Sequence, residues 1–139
     1  MSGRSAGRTL TGMGQSPGVV RRSVNRLASS AREHEAAELL KDCDELGATR
    51  VSALPDRTQV RVAGTLRTVT LRPRAGVPAL VAELYDGSGS VSLVWLGRRR
   101  IAGIEPGRAL VCTGRVMRDG EHRVIYNPRY ELRPTGTDE

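Results

Sequence analysis

The chain has 139 residues, 38% of them hydrophobic, and its 22 Lys and Arg residues against 15 Asp and Glu residues give a formal net charge of +7 and a pI near 10.6. This length fits one domain with tails. No apolar run approaches the roughly 20 residues that a transmembrane helix needs, and the first residues lack the apolar segment of a secretory signal.

The cysteines argue against a metal centre. Cys43 and Cys112 lie far apart in the sequence, form no CxxC motif and have no histidine at ligand spacing. This pattern fits neither a zinc site nor a disulfide framework. We therefore expect a reducing, cytoplasmic compartment and no cofactor.

The charge is unevenly distributed along the chain. Residues 1–32 contain six arginines and no acid, residues 33–46 contain six acids and Lys41, and residues 47–139 contain fifteen arginines against nine acids. A pI this high is typical of a protein that binds nucleic acid. The alternative is a compositional bias with no meaning beyond solubility, since Lys41 is the only lysine.

Two segments precede the main domain. Residues 1–22 are rich in Gly, Ser and Arg and lack apolar periodicity, so we predict a disordered basic tail. Residues 23–47 are predicted to form a helix, with Ser23 as N-cap and Gly47 as the stop. The apolar positions of that helix form a narrow stripe: Val24, Leu27, Ala28, Ala31, Ala36, Leu39, Leu40, Cys43 and Leu46. We expect the helix to dock against the barrel or a partner protein.

From residue 55 to residue 134 the hydrophobic pattern has the period of two that is typical of strands. The predicted strands are Thr58–Leu71, Ala79–Asp86, Val91–Leu96, Ala109–Met117 and His122–Leu132. Gly64 predicts a bend or bulge in the first strand, and Asn127-Pro128 predicts a kink or an edge in the last. A short helix is predicted within residues 97–107. This order is that of an OB-fold, an all-β five-stranded Greek-key barrel, and residues 135–139 are predicted to be a C-terminal tail.

Four short motifs follow one another along the predicted barrel. They are Asp86-Gly-Ser-Gly89 in a turn, Trp95 and Leu96 at the end of the third strand, Ile104-Glu-Pro-Gly107 before the fourth, and Asn127-Pro-Arg-Tyr130 near the close. With these motifs the barrel resembles the OB-fold nucleic-acid-binding family, close to the wedge domain of RecG-type branched-DNA helicases. Because the sequence has no Walker A motif for a motor, the resemblance implies a stand-alone binding domain.

The candidate binding site follows from where OB barrels hold ligands, across the second and third strands between two flanking loops. The residues on or beside these loops are Arg72 and Arg74 on one side and Arg118, His122 and Arg123 on the other. Two basic loops around an open sheet face would clamp a phosphate backbone. Arg61 and Arg67, on the polar side of the first strand, are candidates to extend this surface.

Aromatic side chains are scarce, with one Trp, three Tyr and no Phe. Tyr85 has the outward parity of the second strand and is the best candidate for base stacking, with a structural edge role as the alternative. Trp95 shares the inward parity of its strand, which predicts core packing, whereas the family resemblance implies a DNA contact. Tyr126 and Tyr130 are predicted to be rim or core residues. These features favour weak binding dominated by the nucleic-acid backbone.

Catalysis is not predicted. Both histidines stand alone, and neither cysteine has a neighbouring base. Asp86, which precedes a glycine in a turn, is expected to cap its own backbone. The favoured function is binding of nucleic acid, DNA rather than RNA, either single-stranded or branched. The alternative is a protein-interaction module that docks a partner through helix 23–47 or the sheet face.

Overall fold

The computed structural model describes the backbone of residues 4–134 and the side chains of residues 25–134. Its elements are α1 (Arg4–Glu45), one 3-10 turn (Val51–Ala53), β1 (Thr58–Leu71), β2 (Ala79–Tyr85), β3 (Ser90–Leu96), β4 (Ala109–Asp119), β5 (His122–Tyr126) and β6 (Arg129–Leu132). The chain up to Glu35 and the chain from Ala36 onward form two compact units. The predicted tail at 135–139 lies outside the described residues. Among those described, no helix is long and apolar enough to cross a membrane.

The strands form a closed barrel with an OB-like order. The sheet order is β1-β2-β3-β5-β4-β6, and an additional β1–β4 pairing closes it. All pairs are antiparallel except β3 with β5, which is parallel. β1 serves both ends of the sheet: Thr58–Thr65 pair with β4, and Thr65–Leu71 pair with β2 across a register shift between Leu66 and Thr68. The predicted bulge in this strand is therefore confirmed.

β5 and β6 are the two halves of the predicted fifth strand. They are separated at Asn127-Pro128, where Asn127 has a left-handed backbone with φ of +50°. The Asn127 N–H donates to the Val94 carbonyl at 2.6 Å, and its Oδ1 accepts from the Leu96 N–H at 2.9 Å. The predicted interruption is confirmed, and counting both halves as one strand gives a five-stranded mixed barrel.

The barrel interior is filled by every second side chain of the strands. Inward positions of every long strand are buried, because successive strand residues point to opposite faces. The buried cluster comprises Val51, Leu54, Val60, Val62, Leu66, Leu80, Ala82, Leu84, Val91, Leu93, Trp95, Ile101, Ile104, Leu110, Cys112, Val116 and Ile125. Removing such aliphatic side chains from water contributes about 1.5–3 kcal/mol each, so this cluster is the main source of stability.

The prediction of a helix between β3 and β4 was wrong. Residues 97–108, all of which the structure describes, form successive turns without a helix. Gly97, Gly103 and Gly107 have φ of +79°, +86° and +91°, and a left-handed residue breaks the right-handed helical path. The helix-like bonds in this segment are two isolated contacts that span three residues, from the Ile104 N–H to the Ile101 carbonyl at 3.0 Å and from the Arg108 N–H to the Glu105 carbonyl at 3.2 Å.

The helix α1 begins earlier than the sequence pattern predicts. Its backbone is helical from Arg4, so there is no boundary at Ser23, and the segment predicted as a basic tail, residues 1–22, is helical from Arg4 onward. Extending an existing helix is easier than starting one, because each added residue brings one hydrogen bond without a new nucleus. This cooperative extension is invisible to a reading of local composition.

The predicted stop at Gly47 is confirmed. Gly47 has φ of +69°, and its N–H donates to the Asp44 carbonyl at 3.1 Å, while the Ala48 N–H donates to the Cys43 carbonyl at 3.0 Å. This pair of bonds is a Schellman motif, which satisfies the last carbonyls of a helix. The chain then enters the 3-10 turn and β1.

Candidate nucleic-acid interface

A groove of about 430 Å³ crosses the outer face of β2, β3 and β5. The register explains its floor: Val81 pairs with Val94 and Val94 with Tyr126, so these outward side chains lie in one row. The next row along the sheet includes Ser92 and Val124. Together these residues form a largely apolar floor with two hydroxyls, those of Ser92 and Tyr126, on the face predicted to hold the ligand.

The β1–β2 loop (residues 72–78) forms the basic wall of the groove, with Arg72, Pro73 and Arg74 on its lining. The loop is a small hairpin, because Arg74 and Val77 exchange both backbone hydrogen bonds at 2.7 and 2.9 Å. Between them Ala75 and Gly76 have φ of +50° and +80°, which is typical of a type I′ turn. The arginines therefore project from an ordered backbone.

Arg74 also connects this loop to the floor. Its Nη1 donates to the Tyr126 hydroxyl at 3.0 Å, and its guanidinium carbon lies 5.7 Å from the centre of that ring. Tyr126 is 37% exposed. The contact joins a cation and an exposed aromatic ring at one place, which is the combination that binds a phosphate and a stacked base.

The opposite wall, the β4–β5 hairpin, is less basic than predicted. Asp119 and His122, which pair across the two-residue turn, line the groove. Arg118 and Arg123 form the next pair along the hairpin, and because side chains alternate along a strand they point to the other face. At this loop the groove lining therefore contains His122 and Asp119, and Arg118 and Arg123 lie outside it; the clamp of two basic loops stays a prediction.

Arg61, Arg67 and Tyr85 lie outside the groove lining. Arg61 lies on the far side of the barrel beside Arg129, and its Nε donates to the Leu46 carbonyl at 3.3 Å. Arg67 occupies the β1 bulge, with its guanidinium 4.2 Å from the centre of the Tyr85 ring. Arg67 is closer to this ring than Arg74 is to the Tyr126 ring, at 5.7 Å, and Tyr85 is only partly exposed. Tyr85 is therefore less open to a stacked base than its outward parity suggested.

Trp95 is a core residue. It is only 5% exposed, and its indole N–H donates to the Pro128 carbonyl at 3.1 Å. Tyr130 packs edge-on against it with ring centres 5.8 Å apart. This agrees with the inward parity of Trp95, and a ring this buried offers no face to a base, so the structure does not support the DNA contact that the family resemblance implies.

The sequence reasoning missed two features. Tyr126 shares the outward parity of His122 and Val124 along β5, and that alternation could have placed it on the groove floor. Arg98, Arg99 and Arg100 form an exposed run directly after β3. Three consecutive arginines in the sequence could have indicated this basic run. They were not singled out because residues 97–107 were predicted to contain a helix.

Solved structures resemble this fold. A structure of RecG bound to a three-way DNA junction matches with a TM-score of 0.52 and 21% identity, over 64% of this chain and 13% of that chain. The p204 HINb domain matches with a TM-score of 0.51 and 15% identity, over 62% of this chain and 47% of that chain. The chain thus spans less than half the length of either. No family model and no curated protein matches.

The comparisons define the class of fold. At identities of 21% and 15% the likeness reports architecture, and architecture alone does not determine function. The described chain is an OB-like β-barrel with an N-terminal helix, and about two thirds of it is structurally similar to a small part of RecG. Its function must be argued from the groove itself.

Proposed function

We propose that this chain binds nucleic acid, single-stranded or branched DNA, along the groove across β2, β3 and β5. The observation that supports this most directly is the meeting of Arg72, Arg74 and Tyr126 on the face where OB barrels hold oligonucleotides. The RecG structure that resembles this barrel is bound to a DNA junction. The proposed role is binding without catalysis, and no reaction step is assigned to His122 or Asp119.

The proposed contacts are of two kinds. Arg72 and Arg74 neutralise phosphates, and the release of condensed counterions makes this term depend steeply on salt. Tyr126 offers a ring for one base, and base–aromatic stacking contributes about 1–3 kcal/mol. With one such ring on the groove lining, phosphate contacts dominate. Binding is therefore expected to be modest in affinity and tolerant of sequence.

The test of the arginines is fluorescence anisotropy of a labelled single strand of about 16 nucleotides, the upper site size of an OB fold. For the variant Arg72→Gln/Arg74→Gln we expect at least a tenfold loss of affinity, and a slope of log K against log salt reduced by roughly 1.4, or 0.7 for each lost phosphate contact on a single strand. The matched control is Arg115→Gln/Arg129→Gln, which removes the same charge from two exposed positions off the groove. Equal losses in both variants would refute the groove as the binding site.

The test of the ring compares two tyrosines of similar exposure, Tyr126 at 37% and Tyr130 at 40%. Tyr126→Ala is expected to weaken binding about tenfold, within the range of one stacking contact, and Tyr126→Phe should retain most of the affinity. Tyr130→Phe should bind as the wild type does, because it changes only a hydroxyl away from the groove. A Tyr126→Ala variant with unchanged affinity would remove stacking from the proposal.

A wild-type protein that binds no single strand, duplex or fork even at low salt would overturn the nucleic-acid role. The protein-interaction prediction would then be preferred. Its first test would be the exposed surface of helix α1.

A further inference from the structure

The two walls of the groove carry different hydrogen-bonding groups. Arg72 and Arg74 line the wall formed by the β1–β2 loop, and a guanidinium donates hydrogen bonds but has no acceptor. Asp119 and His122 line the opposite wall, at the end of the β4–β5 hairpin. The carboxylate of Asp119 accepts hydrogen bonds but has no donor. A ligand that crosses the groove therefore meets cationic donors on one side and an anionic acceptor on the other.

Asp119 has an ordered backbone and an uncommitted side chain. It pairs with His122 across a two-residue turn, and the φ of +70° at Gly120, the first turn residue, is typical of a type II′ hairpin. The Asp119 side chain is exposed. Within residues 25–134 it takes part in no hydrogen bond and no ion pair. The carboxylate is thus held at a defined place on the wall and is open to a ligand.

Asp119 differs from the other polar groups near this wall. The Ser92 hydroxyl on the floor can both donate and accept, and so can a neutral imidazole at His122. Glu83 pairs with Ser92 but lies outside the lining, and the next outward position on β2 is Tyr85, which the opposite charge of Arg67 approaches at 4.2 Å. Among the described residues that line the groove, Asp119 is the one that accepts without donating.

This arrangement gives a bound strand an orientation across the groove. Phosphates are attracted to Arg72 and Arg74 and repelled by Asp119, so the backbone of the strand lies on the side of the β1–β2 loop. Its bases then point over the floor toward the hairpin. Tyr126 and His122 are four residues apart on β5, which is about 13 Å at roughly 3.3 Å per residue. That span is comparable to one nucleotide measured from its phosphate to the edge of its base.

We infer that Asp119 accepts a hydrogen bond from the exocyclic amino group of a base in the groove, so that the protein prefers cytosine or adenine over thymine or uracil. Cytosine presents its N4 amino group where thymine and uracil present the O4 carbonyl, and aspartate and glutamate accept from cytosine N4. The N3–H of thymine and uracil lies between two carbonyl oxygens, which the carboxylate repels. The inference rests on the proposed function, because the groove must hold the strand. It adds a base preference to phosphate contacts that carry no sequence information.

The experiment compares labelled strands of about 16 nucleotides that differ only in the base: oligo-dC, oligo-dU, and a strand of N4,N4-dimethylcytosine, which lacks the amino donors. Uracil is used instead of thymine because the thymine methyl group gains apolar contacts of its own. Titrations at slightly alkaline pH, where cytosine strands stay single, are made at two salt concentrations with wild type and with Asp119→Asn. The matched control is Glu121→Gln, which removes one negative charge from an exposed residue of the same turn that lies outside the groove lining. Circular dichroism verifies that each variant is folded.

We expect wild type to bind oligo-dC about five- to tenfold more tightly than oligo-dU, the lower end of what one specific base contact contributes. The dimethylated strand should bind like oligo-dU. The ratio should be the same at both salt concentrations, since the probes carry the same phosphates. Asp119→Asn should lower the ratio to less than about twofold, because an amide can turn either its oxygen or its NH₂ group toward the base. Glu121→Gln should keep the ratio.

Three results would overturn the inference and leave the groove proposal intact. The first is a wild type that binds all three strands equally. The second is an Asp119→Asn protein that keeps the preference, which would assign the base contact to another group. The third is a Glu121→Gln protein that loses the preference as strongly, which would show a general effect of charge on the hairpin. A wild type that binds none of the strands even at low salt would overturn the groove proposal and the inference together.

Discussion

Asp86 illustrates how one buried side chain can organise a fold. It is fully buried, and its Oδ1 accepts from the Ser88 N–H at 2.8 Å, the Ser88 hydroxyl at 2.7 Å and the Gly89 N–H at 3.2 Å. Its Oδ2 accepts from the Val51 N–H at 2.8 Å. A carboxylate with four donors is satisfied despite its burial. The expected turn cap is confirmed, and Asp86 also fixes the segment that precedes β1.

Substitution of Asp86 is expected to be strongly destabilising. Asp86→Asn keeps an acceptor for the Ser88 turn but places an NH₂ group against the Val51 N–H, so two donors meet. Because hydrogen bonds to a charged group contribute about 1.5–3 kcal/mol and orphaned donors add a desolvation cost, we expect a loss of about 2–4 kcal/mol. Urea unfolding measures it.

The control for Asp86→Asn is Ser88→Ala. It removes the Ser88 hydroxyl, which donates to Asp86 Oδ1 at 2.7 Å and accepts from the exposed Ser52 N–H at 3.0 Å, and should cost about 1–2 kcal/mol. An Asp86→Asn protein at least as stable as the Ser88→Ala protein would contradict the cost expected from placing a second donor against the Val51 N–H.

At the scale of the elements, strands were predictable and the β3–β4 connection was not. The period-two pattern gave β1 with the same bounds, Thr58–Leu71, that the structure has. The prediction failed at the connection because Gly103 has a positive φ and lies so close to Leu132 that no Cβ would fit, and a contact with a residue so distant in the sequence is tertiary. Local spacing of Ile101 and Ile104 looks helical although both residues are anchored in the core.

The same difference between local sequence pattern and tertiary arrangement explains which residues of the candidate site could be predicted. Arg72 and Arg74 were found because the loop that contains them follows directly from the strand order. Arg118 and Arg123 were placed on the β4–β5 loop without a face, since a residue's face in a hairpin depends on which pair closes the turn. Here Asp119 pairs with His122, so every second position from that pair faces the groove. The register between β4 and β5 decides which hairpin residues face the groove, and the sequence did not provide it.

The bend of β1 gives a prediction for one element. Where β1 passes from β4 to β2, a Cβ on Gly64 would collide with the Tyr85 carbonyl oxygen and lie 3.1 Å from the Leu84 Cδ2. We expect Gly64→Ala to lower the free energy of unfolding by about 3 kcal/mol, at the upper end of overpacking effects. Thermal and urea unfolding check this value.

The comparison for Gly64→Ala is Gly76→Ala in the β1–β2 loop. Gly76 has open space around it but a φ of +80°, so the substitution should cost only about 1 kcal/mol of left-handed strain. A Gly64→Ala protein no less stable than the Gly76→Ala protein would mean that β1 can move away from β2 without loss.

At the scale of the whole molecule, the cysteines connect stability to pH. Cys43 and Cys112 are both free and buried. Burial, with the nearby charge of Asp86, raises the pKa of the Cys43 thiol, and burial raises the pKa of Cys112 to about 12. Both thiols are therefore neutral in the folded chain over a wide pH range, and their reaction with thiol reagents should be slow until the chain unfolds.

The raised pKa of Cys112 predicts that the free energy of unfolding falls at alkaline pH. The folded chain keeps Cys112 protonated up to about pH 12, whereas the unfolded thiol ionises near its ordinary pKa of about 8.5. Ionisation then favours the unfolded state, so the contribution of Cys112 is complete below about pH 8.5 and is lost as the pH rises toward 12. Between pH 8 and pH 10 the wild type should lose about 2 kcal/mol more than Cys112→Ala. Urea unfolding under reducing conditions measures the free energy of unfolding of both proteins. The ionisation of Cys43 and of the tyrosines is common to the two proteins, so it cancels in the difference between them. Parallel pH profiles would mean that water reaches Cys112 in the folded barrel, contrary to its complete burial.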